Sequence, residues 1–486
     1  MEAFRPNYHF TPQKHWMNDP NGLVFFGGEY HLFYQHHPEN ALPGPMHWGH
    51  AVSTDLVSWE HLPIALYPDE HGVIFSGSAV VDWEDSTGFF GGKPGLVAIF
   101  THHDRVPGTD TVRERQSLAY SLDSGRSWIK YEGNPVLAGG RFVDFRDPKV
   151  FWHPDTKRWV MILATGQTVC LYHSPNLKEW TFGSEFGQDQ GLHSGVWECP
   201  DLFPLSVDGD PARTKWVMLV SVGSAGLPEG SCTQYFIGEF DGITFVNDNP
   251  PGTVLRLDYG RDNYAGVSWS DIPQADGRRI YLGWMSNGRY TTVTPTAEEG
   301  WRSSMTVPRT LALETRAGRI RLIQRPVREL ERLRTPVLYL GNVPVTEAAQ
   351  SLAELALDSF ELIVETASLP AADFAVKVRV SASRQTVIGY NAERHEVYVD
   401  RTQSGLSGFH EDFAGVHRVK LAEDSGPVRL QILVDRSSVE VFAGDGAAVI
   451  TDLIYPEPEA SGLALTVSGE ELLLRRLALY KLEYTE

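Results

Sequence analysis

The sequence predicts an all-β protein, with a five-bladed β-propeller followed by a C-terminal β-sandwich. Short alternating or apolar runs, rich in β-branched and aromatic residues, recur up to residue 325. Each run has the length of a strand, and long amphipathic helical patterns are nearly absent there. A hairpin motif also repeats within this region, and the pattern of the chain changes after it. These observations indicate radially arranged sheets and then a separate antiparallel unit.

The repeated motif has the form Ser-x-Asp/Asn-Leu-x-x-Trp. It occurs at residues 53–59 and 174–180, and a version with one more residue occurs at 121–128. The Asp or Asn is expected to cap a turn through its side chain, and the Trp to pack back on the sheet. Recurrence of one such unit predicts the blades of a propeller.

Polar motifs keep a similar period along the chain. Their central residues lie 57, 71, 51 and 64 positions apart and are Asp19, Ser76, Asp147, Glu198 and Asp262. A four-stranded blade needs about 40–50 residues, more with insertions. Five blades therefore fill residues 1–325. We expect the five motifs to lie on the inner strands and to converge on one central funnel.

The pattern changes after the predicted propeller. A short helical linker is predicted at 326–335, where a proline is followed by apolar residues at three-residue steps. Residues 336–486 alternate between apolar and polar, for example at 374–380, which predicts a β-sandwich of half-buried antiparallel strands. We expect Asp435 and Glu440 in this part to be solvent-facing or turn residues, because no other polar motif gathers around them.

Composition and charge exclude several classes of function. The chain has 486 residues, 42% of them hydrophobic and 21% charged, as in a globular protein with a large core. A formal net charge of −20 argues against nucleic acid and anionic membranes as partners, and makes a phosphorylated substrate less natural. Three cysteines without metal-ligand spacing and the lack of a leader-like start predict a cytoplasmic location, or secretion if a signal peptide has been removed.

No metal or other cofactor is expected. Histidines occur as adjacent pairs at 36–37 and 102–103. Neighbours on a strand point to opposite faces and cannot readily share one ion. Histidines that bind protein groups or sugar hydroxyls are the better explanation.

Two acidic motifs supply the pair of carboxyls that glycosidic bond hydrolysis requires. Asp19 precedes Pro20, which disfavours helical backbone at Asp19 and holds the carboxylate on an extended strand or turn. Beside Asn18 it is expected to stay ionised and to act as the nucleophile. Glu198 lies between an indole and a small thiol in the sequence, a partly apolar setting that suits a general acid.

A third acidic motif contains Asp147, which directly follows Arg146. An ionised carboxylate there could hold sugar hydroxyls through hydrogen bonds that strengthen in an oxocarbenium-like transition state. The alternative is a structural carboxylate paired with Arg146, which the local sequence alone favours.

Together these motifs resemble those of glycoside hydrolase family 32, which comprises invertases, levanases, inulinases and sucrose-6-phosphate hydrolases. The matching segments run from residue 6 to beyond 450 and include 16–22, 75–80, 145–150, 197–201, 259–265, 283–287 and 434–442. The resemblance implies a five-bladed propeller followed by a sandwich, and a retaining β-fructosidase of the bacterial levanase and exo-inulinase type. Retention predicts that the two catalytic carboxyls lie about 5–5.5 Å apart.

The resemblance also implies roles by position. Asp19 matches the nucleophile, Asp147 the transition-state stabiliser and Glu198 the acid/base. The substrate-binding positions it implies are Asn18, Gln35, Trp48, Phe75, Ser76, Arg146, Cys199, Tyr264 and Trp284. Cys199 is expected to tune Glu198, with a purely structural small residue as the alternative.

Two departures from the family pattern affect the expected specificity. Pro43-Gly44 replaces an aromatic Trp-Gly, and Gly288 replaces the Trp of a Ser-Asn-Trp segment. Both remove aromatic surface without changing the reaction class. The expected activity is exo-acting release of fructose from sucrose and from inulin- or levan-type fructans. The alternatives are a sucrose-specific invertase, a sucrose-6-phosphate hydrolase, a fructosyltransferase and a non-catalytic fructan-binding protein. The oligomeric state stays open.

Overall fold

The computed structural model describes residues 2–140, 142–225, 227–228, 230–422, 426–469 and 471–484. Its first part consists of five antiparallel blades around one axis, and its second part of two facing sheets. The inner strands of the blades contact one another in a closed ring, in which the first blade packs against the fifth. The predicted all-β propeller and sandwich are confirmed.

From the axis outward, blade 1 contains His15–Phe26, Glu29–His37, His47–Ser53 and Glu60–Leu66. Blade 2 contains Val73–Asp82, Gly95–Arg105, Val112–Ser121 and Ile129–Lys130. Blade 3 contains Arg146–His153, Arg158–Ala164, Val169–Ser174 and Thr181–Phe186. Blade 4 contains Trp197–Val207, Asp210–Val222, Cys232–Phe240 and Phe245–Asn247. Blade 5 contains Tyr264–Ser268, Arg279–Met285, Arg309–Arg316 and Arg319–Pro326.

Shorter elements complete the propeller. They are the strands Leu137–Ala138, Leu255–Arg256, Trp301–Arg302 and Ser304–Met305, and the 3-10 helices Thr291–Val293 and Pro295–Glu299. Trp301–Arg302 pairs in parallel with the start of the first inner strand and so ties blade 5 to blade 1. This pairing of two residues on each strand holds the first and fifth blades together.

The repeated Ser-x-Asp/Asn motif occupies the same place in three blades, the turn between the third and fourth strands. In blade 1, Asp55 accepts hydrogen bonds from the backbone amides of Val57 and Ser58. In blade 3, Asn176 accepts the equivalent bonds from Lys178 and Glu179. These are the side-chain turn caps that the motif predicts.

A 3-10 helix, Arg328–Leu333, joins the propeller to the sandwich. The strand before this helix ends at Pro326 and the strand after it begins at Arg334, so they overlap the predicted linker, 326–335, by one and two residues. The predicted domain boundaries stay predictions. One sheet of the sandwich has the strand order Arg334–Pro344, Leu473–Leu482, Phe360–Thr366, Arg429–Asp435, Ser438–Ala443 and Ala448–Leu453. The other has the order Val416–Lys420, Glu396–Asp400, Thr386–Asn391, Phe374–Val380 and Gly462–Val467. The helix Val345–Ala353 buries three apolar residues against this core.

The expectation for Asp435 and Glu440 was wrong, because both are fully buried where the sandwich meets the propeller. His9 lies between them, with Nδ1 2.8 Å from Asp435 and Nε2 2.8 Å from Glu440. Arg309 of blade 5 donates a second bond to Glu440 at 2.5 Å. Cations of the propeller therefore pair with acids of the sandwich. The alternation of apolar and polar residues within the sandwich strands cannot reveal this pairing, because the partners lie in the other domain.

Asp262 also differs from the prediction, since it does not enter the funnel. It lies two residues before the inner strand of blade 5 and faces the sandwich. Its carboxylate accepts hydrogen bonds of 2.6 Å from Arg401 and from the hydroxyl of Tyr290. Tyr264, the first residue of the strand, is what blade 5 contributes to the funnel instead.

Candidate active site

The same irregularity occurs in all five inner strands and positions the site. In blade 1, Met17 and Pro20 pair with His36 and Tyr34, so the inner strand advances three residues while its neighbour advances two. Identical slips lie at 74–77, 146–149, 198–201 and 264–267. A bulge of this kind bends a strand and redirects its side chains. Here it turns one polar motif per blade toward the axis at a common height, as predicted for four of the five motifs.

Backbone conformation at these bulges is unusual in three blades. Asp147, Cys199 and Ala265 have φ of 63°, 46° and 55°. A non-glycine residue in this region costs free energy that the surrounding structure must offset. The strain is concentrated beside the carboxyls, as is common at functional sites.

Asp19 is held by three donors. Ser76 Oγ donates to Oδ2 at 2.6 Å, Asn18 Nδ2 to Oδ1 at 3.1 Å, and the Cys199 thiol lies 3.4 Å from Oδ2. Trp16 Nε1 in turn donates to the Asn18 oxygen at 2.7 Å and fixes the amide orientation. Burial, reinforced by nearby Glu198, raises the pKa of Asp19 despite these donors. That Asp19 stays ionised and acts as the nucleophile remains a prediction.

Glu198 faces a polar setting rather than the apolar one its sequence neighbours suggest. Arg146 Nη2 donates to its Oε1 at 3.1 Å, and the hydroxyl of Tyr264 donates to Oε2. The indole of Trp197 points the opposite way, donates to the carbonyl of Leu192 and packs in the core of blade 4. Adjacent residues of a strand face opposite sides, which explains the difference.

Asp147 is the most buried of the three acids, with 6% of its surface exposed. Its Oδ2 accepts a hydrogen bond of 3.0 Å from the backbone amide of Cys199. Burial and the charges of Glu198 and Asp19 outweigh the attraction of Arg146 and raise the pKa of Asp147 to about 8. A pKa of about 8 corresponds to a mainly protonated carboxyl at neutral pH, whereas the sequence suggested an ionised one.

Arg146 does not form an ion pair with its sequence neighbour Asp147. Its Nη1 donates to Asp144 at 2.6 Å and lies 3.3 Å from Glu114, while Nη2 reaches Glu198. Glu114 is buried on the third strand of blade 2 and also accepts the backbone amide of Phe145 at 2.7 Å. No motif in the sequence pointed to Glu114, because it sits within an ordinary strand.

A cavity of about 330 Å³ contains the three acids. Most of the predicted binding residues line it, namely Asn18, Gln35, Phe75, Ser76, Arg146, Tyr264 and Trp284. Residues not predicted also line it, namely Trp16, Met46, Gly223, Ser224 and Ser231. Pro43 and Gly288, the two departures from the family pattern, both lie in its wall. The structure thus gathers residues from all five blades around one small pocket.

Two predicted substrate-binding residues lie behind the wall of the pocket. Trp48 is fully buried and donates from Nε1 to the carbonyl of Phe75 at 3.0 Å, so it supports the wall rather than facing the cavity. Cys199 is 4% exposed and its thiol lies between Asp19 and Asp147, 3.6 Å from the latter. The Cys199 thiol therefore contacts Asp19 and Asp147 directly. The expected tuning of Glu198 by Cys199 stays a prediction.

The described residues contain no group of three or more His, Cys, Asp or Glu side chains arranged to hold a metal ion. Within the same part of the chain, no helix is both long and apolar enough to cross a membrane.

Fold and site together define a propeller-based hydrolase in which carboxyls from different blades converge on one sugar-sized pocket. Residues 9–326 match the family model described as glycosyl hydrolases family 32 N-terminal domain, and residues 329–481 match the C-terminal model of that family. The chain therefore belongs to glycosyl hydrolase family 32.

Known proteins similar to this chain agree with that assignment. It is 51% identical to the levanase of Bacillus subtilis (strain 168), covering 99% of this chain and 71% of that protein. It is 39% identical to a levanase of Bacillus sp. (strain L7), of which it spans about half, 52%. Identity to the extracellular exo-inulinase of Aspergillus niger is 39%, over 96% of this chain and 92% of that protein.

Solved structures show the same likeness. The crystal structure of exo-inulinase from Aspergillus awamori matches with a TM-score of 0.89 and 36% identity, over 99% of this chain and 98% of that one. The β-fructofuranosidase from Schwanniomyces occidentalis complexed with fructosyl-erythritol matches with a TM-score of 0.87 and 29% identity, over the same shares.

Proposed function

We propose that this protein is an exo-acting, retaining β-fructosidase that releases fructose from sucrose and from the chain ends of inulin- and levan-type fructans. The observation that carries the proposal is the meeting of Asp19 and Glu198, 179 positions apart in the sequence, in one pocket of about 330 Å³. A pocket of this size suits a single terminal sugar ring and the start of its leaving group.

In the proposed reaction, Asp19 attacks the anomeric carbon while Glu198 protonates the departing oxygen. The fructosyl–enzyme ester that results is hydrolysed by a water molecule from which Glu198 removes a proton. Ser76 and Asn18 hold the attacking carboxylate in place. Arg146 and Tyr264 orient the two oxygens of Glu198, so the acid/base keeps one position through both steps.

Asp147 contributes through its protonated carboxyl. With its pKa at about 8 it is mainly protonated at neutral pH and can donate to a sugar hydroxyl. Positive charge that develops on the ring favours the ionised form, because opposite charges attract strongly in a buried site. The carboxyl therefore binds the transition state more tightly than the substrate, which is the requirement for catalysis.

The rim of the pocket favours a broad range of leaving groups. Pro43 and Gly288 offer no aromatic ring on which a single glucose unit could stack. A Cβ at position 288 would meet Ser224 Oγ at 3.0 Å, so this part of the wall has little room for a side chain. A longer fructan chain can leave the pocket here without displacing an aromatic residue.

Timed product profiles on sucrose, kestose, inulin and levan test the proposal. Fructose is expected as the first product from each substrate, with no di- or trisaccharide formed early. Sucrose 6-phosphate serves as the control. Hydrolysis confined to this phosphate, early release of oligosaccharides, or net transfer to sucrose at high concentration would each contradict the proposal. The cytoplasmic location stays a prediction, which cell fractionation would test.

A further inference from the structure

A second cavity, of about 710 Å³, opens at the other end of the inner strands. On the inner strand of blade 4 the active site contains Glu198, whereas the second cavity is lined by Leu202 and Pro204. Six residues of strand correspond to about 20 Å. Between the two cavities, Lys149 lies 3.7 Å from Asp201 and also donates to the carbonyl of Ser268. Buried side chains thus separate the cavities.

Tryptophan residues concentrate at this second cavity. Four of its lining residues are Trp83, Trp152, Trp159 and Trp216. Of the 13 tryptophans in the chain, only Trp83 and Trp152 are exposed, at 55% and 43%. Isolated exposed apolar residues are ordinary, but the two most exposed indoles at one concave site indicate a binding surface.

These indoles are held in fixed orientations. Trp83 Nε1 donates to Asp271 at 2.9 Å, and the second oxygen of Asp271 accepts the backbone amide of Val81 at 3.0 Å. Trp152 packs edge-to-face on Trp159 with ring centroids 5.3 Å apart, and Trp159 Nε1 donates to Ser86. Rigid aromatic surfaces lose little conformational entropy when a ligand binds.

Polar groups alternate with these rings. Glu84 and Asp155 are exposed on the cavity wall. Arg279 also lines the cavity, and among the described residues it forms hydrogen bonds through Nη1 alone, to Ser268 and Trp269. The wall therefore offers carboxylate acceptors and a guanidinium donor next to flat apolar faces.

This combination selects one ligand chemistry. Acids on the wall and a net charge of −20 disfavour phosphates, nucleic acids and other anions. A purely apolar ligand would leave the carboxylates and the guanidinium without partners. A neutral carbohydrate satisfies both requirements, because its C–H faces pack on indole rings and its hydroxyls bond to charged groups.

We propose that this cavity is a second, non-catalytic carbohydrate site that binds a segment of fructan chain. The choice of fructan rests on the proposed function, since an enzyme that removes chain ends gains from being held close to other chains. Binding at one face of the propeller raises the local concentration of chain ends at the other face. Sucrose is too short to gain from this effect.

Affinity electrophoresis in gels containing inulin or levan tests the proposal without catalysis. The full chain carries Asp19→Asn to prevent hydrolysis, and excess fructose occupies the active site. Adding Trp83→Ala and Trp152→Ala together is expected to weaken retention about fivefold or more, since each lost ring removes one stacking contact. Trp83→Phe with Trp152→Phe should restore most of it. Tyr339→Ala, at a 68% exposed aromatic on the sandwich, is the matched control and should leave retention unchanged.

Three results would overturn the proposal. The first is unchanged retention in the double alanine variant, with folding verified by its thermal unfolding. The second is equal retention, by dextran and by fructan, of the chain that carries Asp19→Asn alone. The third is self-association that disappears in the same variant, which would assign the surface to a second copy of the chain. When Trp83→Ala and Trp152→Ala are introduced into the chain that retains Asp19, kcat/KM on sucrose should change less than about twofold. The two exposed rings lie far from the reaction and add nothing to its transition state. Failure of the proposed function appears separately, as absence of hydrolysis by the unsubstituted enzyme.

Discussion

Buried carboxylates in the funnel and at the propeller–sandwich interface differ in their partners. At the interface, hydrogen bonds from His9 outweigh burial and lower the pKa of Asp435, while Arg309 and His9 do the same for Glu440. In the funnel, burial dominates and raises the pKa of Asp19 and Asp147. Asp435 and Glu440 are therefore stabilised as ions, whereas Asp19 and Asp147 are not. Asp258 at the same interface is an exception, because burial raises its pKa despite the ion pair with Arg309.

The difference shows how one fold separates structural acids from reactive ones. A buried charge is costly unless a partner offsets its desolvation, and the interface provides such partners from both domains. In the funnel Arg146 pairs with Glu198 but forms no ion pair with Asp19 or Asp147, so the protonation of these two acids responds to the substrate and to the charge of the transition state. Pairing within the folded structure, rather than burial itself, distinguishes the two groups.

The largest effect is expected at the nucleophile. Asp19→Asn should reduce kcat on sucrose by about 10⁴-fold or more, because shape and hydrogen bonds remain while the attacking group is lost. Binding of fructose, measured by calorimetry, should persist within about tenfold, since the lost charge is replaced by an amide of equal shape. Substantial residual hydrolysis by this variant would remove Asp19 from the role and weaken the contrast between the regions.

A smaller effect is expected from breaking a pair at the interface. Arg309→Met removes the cation paired with Asp258 and leaves Glu440 paired with His9, at a cost of about 3–5 kcal/mol in the free energy of unfolding. Urea unfolding would measure it. The matched control is Arg325→Met, since Arg325 pairs with Glu314 at the surface and should contribute less than about 1 kcal/mol. Equal losses in the two variants would contradict the distinction.

The two groups of acids should give opposite pH dependences of stability. A carboxyl whose pKa is raised in the folded protein destabilises the fold as the pH rises from the usual value near 3.8 through about 8. Asp147→Asn removes this cost, so the gain in free energy of unfolding over the unmodified protein should be about 1–3 kcal/mol larger at pH 9 than at pH 5. A carboxyl whose pKa is lowered adds stability above its unfolded pKa, so Asp435→Asn should destabilise at neutral pH.

The effect of Asp435→Asn should also fade at both ends of the pH range. The stability contributed by Asp435 is lost as the pH falls below its unfolded pKa near 3.8 and through its lower folded pKa. Above about pH 9, which is the raised pKa of His9, the imidazolium partner is lost. Unfolding of both variants from about pH 2 to about pH 10 would show the two profiles, and curves of the same sign would refute the comparison.

The smallest effect concerns one donor in the funnel. Ser76→Ala removes the 2.6 Å hydrogen bond to Asp19, so the pKa of Asp19 should rise further and the acid limb of kcat/KM should shift to higher pH. At the pH optimum kcat/KM should fall about fivefold to tenfold, which corresponds to the net contribution of about 1 kcal/mol from a typical hydrogen bond. Ser76→Thr, which keeps the hydroxyl, serves as the control. A loss of activity with an unmoved pH profile would mean that Ser76 only shapes the pocket.

Much of the site could be predicted because its residues lie in short motifs at the start of inner strands. Asp19, Ser76, Asp147 and Glu198 share one bulge geometry, which their blade-length spacing anticipated. The prediction that Asp262 enters the funnel was wrong, because Asp262 lies two residues before its strand and faces Arg401. Spacing alone does not show toward which side a residue at a strand end points.

Other features depended on contacts between distant elements. Glu114 supports Arg146 from another blade, and the indole of Trp197 lies on the face of its strand opposite to Glu198. Protonation of the acids could not be predicted either, because desolvation and nearby charges depend on packing.

The order of residues by itself determined the strands, the repeated turns and which carboxyls lie at blade-length intervals, because side-chain alternation and turn propensity act over a few neighbouring residues. The tertiary structure alone decided which acids received cationic partners and which stayed without them. Electrostatic free energy depends on distances in space and on exclusion of water, and the closed ring of blades creates both.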